Sequence, residues 1–253
     1  MNFSVVWKII VTYWPSLLLG VQTTLIVSLS GTAIGFLIGL LIGGFKAVKL
    51  DANASRGQRF GKRLFDGIAS VYVTIFRGTP MMVQAVFIYY ALLNVIHWDK
   101  MTAAIFVISI NTGAYMSEII RSGIQSVDIG QTEAARSLGM SNSQAMMNII
   151  LPQAIRNAFP AIGNELVVNI KDSSVLMIIS ITDLMFQAKS IAGTTYHATE
   201  TYFVEAIVYL ILTSIASIIM NTLEHRINND TVSIPQSDTV PASMKYAARR
   251  KKQ

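Results

Sequence analysis

The chain has 253 residues, 52% hydrophobic and only 13% charged, with no cysteine and a formal net charge of +6. A soluble domain carries about 25% charged residues, so the deficit fits several membrane spans and little extramembrane mass. Disulfides, thiolate metal sites and cysteine nucleophiles are excluded, and the positive excess points to membrane topology before nucleic acid.

Met1 to Trp14 is mixed in character and shows no cleavable signal peptide. The first span is expected over Val21 to Phe45. It carries Gly31, Gly35, Gly39 and Gly43 four residues apart on one face, a stripe that lets another backbone approach closely. Packing inside the subunit is preferred here to a dimer seam. Leu64 to Phe76 reads as a helix lying along the interface. The second span is expected over Pro80 to Ile96, with Thr79 as cap and Pro80 at the first helical position. The third is expected over Met101 to Ile120, with Glu118 and Arg121 as an ion pair at its end. The fourth runs from Gln153 to Ile170 and the fifth from Thr201 to Leu223. Each suffices to cross a bilayer at about 1.5 Å per residue.

Between the third and fourth spans lies a polar segment, Asp128 to Pro152, with two helix starts. Asp128 caps the first with Gln131 three residues on, and Ser141 caps the second with Gln144 three residues on. Gly139 stands between them, where a left-handed residue is wanted. Pro152 ends the second helix or opens the next. The expected product is a short bent helix pair exposing Ala134, Ala135 and Leu138 beside Glu133 and Arg136.

Between the fourth and fifth spans, Lys171-Asp172-Ser173 interrupts the apolar run. Irregular backbone at membrane depth must be buried in protein or line a cavity. Ser174 to Ile191 is therefore expected to insert partly and return, with Ser173 capping it. Glu165 falls about 18 Å into the fourth span, near the bilayer centre. A carboxylate there must face protein or water. Three readings stay open: pairing with a base such as Lys171, protonation within a packed seam, or contact with a substrate's cationic group. Asn111, Asn164 and Asn169 are candidates for orienting hydrogen bonds, and Gln84 points into the bundle. Arg77 is expected to anchor to headgroups.

Basic residues arbitrate the topology. Seven lie between Lys46 and Arg77, three between Arg121 and Arg156, and six from Arg226 onward. The opposite side holds Lys8, Lys100 and Lys189. The rule that positive loops stay inside places the N-terminus outside and the 128–152 segment in the cytosol. The expected architecture is all-α: an integral membrane helical bundle of about five transmembrane helices, a cytosolic helix pair and a partly inserted helix. It occupies residues 1–227, and residues 228–253 form a polar, basic, disordered cytosolic tail. His97, His197 and His225 lie at span ends without close metal-ligand spacing, and no GxxxxGK[ST] phosphate loop is present. A membrane enzyme lacks a catalytic constellation, whereas a channel or ion-gradient transporter remains a competing class on these residues alone.

Glu133-Ala134-Ala135, then Gly139, then Ile150-Leu151-Pro152 resembles the EAA loop of ABC-importer permeases. Arg77-Gly78-Thr79-Pro80 with Gln84, and Gly163-Asn164-Glu165 with Lys171-Asp172-Ser173-Ser174, are similar to segments of the polar amino acid subfamily. The resemblance covers roughly residues 16–225. It implies a coupling role toward an ATPase for Asp128, Gly130, Glu133, Ala134, Ala135, Arg136, Leu138, Gly139 and Pro152. It implies a translocation path along Gln84, Asn111, Asn164, Glu165, Asn169, Lys171, Asp172 and Ser173. It further implies a multi-pass protein of the bacterial cytoplasmic (inner) membrane. The partners would be a cytosolic ABC ATPase dimer, a second permease subunit, an extracytoplasmic amino acid-binding protein and the lipid bilayer. No cofactor would sit on this chain, and ATP and Mg would be bound by the partner ATPase.

Overall fold

A computed structural model describes residues 1–48, 50 and 54–229. It is all-helical among the described residues. The expected tail falls outside them, apart from its first two positions, which end the last helix.

Helix α1 (Phe3–Ala47) is 45 residues long. It starts far ahead of the expected Val21. The Asn2 side chain accepts from the Ser4 N–H at 3.1 Å, and Pro15 lies within the helix. The extension has packing partners that a local reading does not reveal: Val6, Ile9 and Leu17 bury against Leu184, Ile191 and Val204. The Asn2 N–H also bonds the Glu200 carboxylate at 2.9 Å.

Helix α2 (Arg56–Gly78) opens with a full capping box between Ser55 and Gln58. It meets α3 (Met81–Ile96) at a bend of 114°. The cap of α3 is Pro80 itself, so Thr79 does not fill the expected role. The Thr79 hydroxyl instead bonds back to the Ile75 carbonyl at 2.8 Å, closing the end of α2. Helix α4 (Lys100–Gln125) is capped by Asp99, whose carboxylate accepts from both the N–H and the hydroxyl of Thr102. Those two bonds hold the Asp99 carboxyl below its ordinary range.

Helices α1 and α4 run parallel and form the principal seam of the bundle. Gly31, Gly35, Gly39 and Gly43 meet Ile108, Thr112, Met116 and Ile120, so a spacing of four on one helix faces a spacing of four on the other. A Cβ on Gly31 would stand 2.2 Å from Ile108 Cγ2, and one on Gly39 would stand 2.3 Å from Met116 Cβ. Lipid tails are as apolar as leucine, so close van der Waals contact, not water exclusion, holds such a seam. The stripe is internal to the subunit, as expected.

Helices α5 (Ile129–Ser137) and α6 (Asn142–Ala145) form the polar elbow. A π-turn over Met146–Ile150 leads into α7 (Leu151–Asp172), which carries Pro152 near its start and Pro160 inside. Pro152 has no N–H to return to the previous turn, and the wider π-turn absorbs that loss. A 3₁₀ segment follows at Ser173–Ile179, then α8 (Leu184–Thr195) and α9 (Ala198–Asn229). The α7 and α8 limbs meet at 57°, in keeping with the expected partial insertion and return. α1, α4 and α9 are long and apolar enough to cross a membrane, and the two bent pairs raise the count to five.

Candidate coupling elbow and translocation path

The elbow is built from local hydrogen bonds. The Asp128 carboxylate accepts from the Gly130 N–H at 2.7 Å, while the Gln131 N–H bonds the Asp128 carbonyl at 3.0 Å. Helix α5 ends in a complete Schellman motif. The Gly139 N–H reaches the Arg136 carbonyl at 2.9 Å, and the Met140 N–H reaches the Ala135 carbonyl at 3.1 Å. The motif demands a left-handed residue, and Gly139 has φ +83°. A side chain there would meet nothing within 4 Å, so conformation alone requires glycine. Ser141 and Gln144 form the expected capping box, with bonds of 2.9 and 3.2 Å. Arg136 bonds Asn142 across the bend.

Leu138 is 84% exposed at the tip. Glu133, Ala134 and Arg136 are exposed as well. Ala135 is the exception and corrects the expectation: it is 5% exposed, on the buried side of α5. Neighbours on a helix point about 100° apart, and the phase of α5 turns Ala135 inward while Ala134 stays out. Pro152 stands in the first turn of α7, after the π-turn, so of its two expected roles it opens the next helix.

Beneath the elbow lies a cleft of ≈ 500 Å³, lined by Lys46, Arg121, Ile129, Asn142 and Met146 among others. The limbs on either side are tied together. The Asn157 amide donates to the Ser126 hydroxyl at 2.9 Å, which donates to the Gly123 carbonyl at 2.7 Å. Glu118 and Arg121 pair at 2.6 Å at the end of α4, as expected. The end of α4 and the first half of α7, which flank the elbow, are thereby joined.

The residues expected along a path divide by environment. Gln84 and Asn111 act at the α2–α3 bend. The Gln84 amide donates to the carbonyls of Phe76 (3.0 Å) and Thr79 (2.9 Å), and accepts from Asn111 at 2.8 Å. The Asn111 amide also donates to the Phe76 carbonyl at 3.2 Å, so the two side chains together satisfy carbonyls that the end of α2 leaves open. Asn169 ties three helices: its amide donates to Thr32, its side-chain oxygen accepts from Thr112, and its carbonyl accepts from Ser28. Ser173 does not cap the following turn, since its hydroxyl bonds back to the Ile170 carbonyl at 2.9 Å. Each of these four side chains is hydrogen-bonded within the bundle.

Glu165 differs. It is 9% exposed and has no hydrogen bond or ion pair among the described residues. The charged groups acting on it are Asp172 and Arg77, so the pairing with Lys171 is not formed. Arg77 stacks on the Tyr115 ring at 5.3 Å and remains exposed. Asn164 is exposed on another face and lines a small cleft toward α9 with Met220 and Glu224. Lys171 is exposed and lines a cleft with Ser174, Glu205 and Tyr209.

Three further buried polar groups escape the sequence reading. Asp183 caps α8 through the Phe186 N–H at 3.0 Å, and its Oδ2 has no hydrogen-bond partner among the described residues. The same holds, among those residues, for Glu205 Oε1 and the Tyr209 hydroxyl. Glu205 had a legible signal, an acid within an apolar span, the same signal that marks Glu165.

Comparison with known proteins fits this architecture. A family model described as "Binding-protein-dependent transport system inner membrane component" matches residues 52–229. The glutamine transport system permease protein GlnP of Escherichia coli (strain K12) is 36% identical over 228 residues, covering 89% of this chain and 97% of that protein. The arginine transport system permease protein ArtQ of Bacillus subtilis (strain 168) is 32% identical, covering 85% and 94%. A solved structure titled "Crystal structure of an amino acid ABC transporter with histidines" is 38% identical with TM-score 0.74, covering 86% of this chain and 96% of that one. The inward-facing MetNI methionine ABC transporter shares the fold at TM-score 0.71 and 19% identity, covering 90% and 99%. None of these supports an ion-gradient transporter, and in such systems the ATPase is a separate subunit. The chain belongs to the binding-protein-dependent transport system inner membrane component family, as the multi-pass permease subunit of an ABC importer and not as an enzyme.

Proposed function

We propose that this permease carries a polar amino acid across the bacterial cytoplasmic (inner) membrane, powered by a cytosolic ABC ATPase dimer that docks on the 128–152 elbow. The observation that carries the reading is the elbow itself. It is shaped by its own caps, exposes Leu138 beside Glu133 and Arg136, and is tied to α4 and α7. Asp128, Gly130 and Gly139 set its geometry, Ala134 admits close approach, and Ala135 seats it on the bundle. Closure of the ATPases moves the elbow, and the attached helices switch access to a site between two permease subunits. The domain spans residues 1–227, with the N-terminus outside and the elbow in the cytosol. ATP and Mg are held by the ATPase, and an extracytoplasmic binding protein delivers the substrate.

Within the path, Glu165 is the group available for a substrate cation, with Asp172 nearby in charge and Lys171 and Asn164 on flanking faces. The polar amino acid class rests on the glutamine and arginine permeases among its relatives. The test is purification of the chain with its neighbours, followed by uptake measurements in cells. The expected result is co-purification of a nucleotide-binding subunit and uptake that survives proton and sodium ionophores while ATP remains. Uptake abolished by ionophores at constant ATP would overturn the proposal.

A further inference from the structure

We infer that α2 is a membrane-surface helix that selects anionic phospholipid headgroups through Arg56 and Arg63. Its residues, placed at about 100° per position, divide into three sectors. One faces the bundle: Phe65 packs edge-on against Phe45, the Tyr72 hydroxyl donates to the Ile110 carbonyl at 2.5 Å, and Ala69 and Val73 are buried. A second sector, about 80° wide, is apolar and exposed: Phe60, Leu64, Ile68, Val71 and Ile75. The third is polar and holds Arg56, Arg59, Arg63, Gly67 and Ser70, all exposed.

A helix with one side on the bundle, one apolar side uncovered and one polar side fits a single environment. The apolar side meets acyl chains and the polar side meets water, with the axis near the headgroup plane. The bend of 114° fixes that attitude, because Gln84 and Asn111 lock α2 against α3. The helix lies at the elbow's end of the bundle: Lys46, which lines the cleft beneath the elbow, donates to Ser70 at 3.2 Å.

Charge complementarity names the occupant. Lys62 is engaged by Asp66 at 2.5 Å and by the Lys46 carbonyl. Arg56 and Arg63 are exposed, and neither has a partner among the described residues. They stand two turns apart within the polar sector, about 40° (Arg56) and about 60° (Arg63) around the helix from Phe60 at the margin of the apolar stripe. Guanidinium groups there meet the phosphates of lipids whose chains cover Leu64 and Ile68. A second protein would have to match both the apolar stripe and this pair of bases, which anionic lipid does with its chains and its phosphate.

The experiment uses the full-length chain in the assembly it is purified with, in nanodiscs of phosphatidylcholine and phosphatidylglycerol. The chain has no cysteine, so single nitroxide labels go in cleanly. Labels at Leu64→Cys and Ile68→Cys should collide with oxygen, and labels at Gly67→Cys and Thr74→Cys with a water-soluble nickel chelate. The Gly67 site is open, with nothing within 4 Å of an added Cβ. Low accessibility to both reagents along the stripe would mean a protein covers it and would overturn the proposal. In native mass spectrometry, R56Q/R63Q should lower the preference for retained phosphatidylglycerol by up to about 30-fold, what two surface charges supply. R56K/R63K should keep most of it. An unchanged preference in the R56Q/R63Q protein would equally overturn the assignment.

Discussion

Gly39 and Gly139 are the same residue used for opposite reasons. Gly39 sits in ordinary helix, and its constraint is the neighbour: a Cβ would strike Met116 at 2.3 Å. Gly139 has open space around it, and its constraint is its own φ of +83°. The first belongs to a seam held by packing over four turns. The second belongs to an elbow held by caps. Packing gives a rigid body and caps give a defined but exposed protrusion. A permease driven from outside needs both, because a push is wasted if either the handle or the body yields.

That contrast can be broken at either end. The largest effect is expected at the seam. Gly39→Leu forces α1 and α4 apart and should remove most folded protein. Overpacking of a core costs roughly 1–3 kcal/mol even where neighbours can shift, and here backbone atoms of Met116 and Ser117 stand within 2.8 Å of the added carbon. Thermal unfolding in detergent and membrane yield report it. Wild-type yield and unfolding temperature would mean that the seam is not close-packed.

A smaller structural effect with a specific functional signature is expected at the elbow. Gly139→Val places a β-branched residue in left-handed backbone, at about 1–2 kcal/mol or more of local strain. Membrane yield should hold while ATP hydrolysis separates from uptake. Gly139→Asn, whose side chain tolerates that conformation, should restore much of the coupling. Equal loss in both variants would point to side-chain bulk at the docking face and not to φ.

The mildest expected effect concerns selectivity. Glu165→Gln keeps shape and removes charge at a buried carboxylate that has no internal partner. It should weaken transport of a cationic amino acid more than of a neutral one, read as the ratio of ligand-stimulated ATPase rates. Equal weakening would assign Glu165 to architecture.

Local rules were legible in the sequence, and relations between distant residues were not. The Ser141–Gln144 box and the left-handed Gly139 followed from a few adjacent residues. The glycine stripe announced a close seam, because periodicity survives without knowledge of the partner. The start of α1 was not legible, since Val6 and Ile9 are held by Leu184 and Val204 far along the chain. Nor was the work of Gln84 and Asn169, which are polar residues in spans like Glu165. Their amides are consumed by particular carbonyls and hydroxyls that only the folded bundle brings near. The burial of Ala135 turned on helix phase, which a motif does not carry.

The most direct measurement is a cross-link from the elbow tip. The chain has no native cysteine, so Leu138→Cys provides a single exposed thiol. With cysteines placed across the docking face of the ATPase, oxidation in intact membranes should join the two chains, with a yield that changes between the ATP-bound and ATP-free states. No cross-link at any position, combined with labelling of Leu138→Cys by an impermeant reagent added outside the cell, would contradict the account.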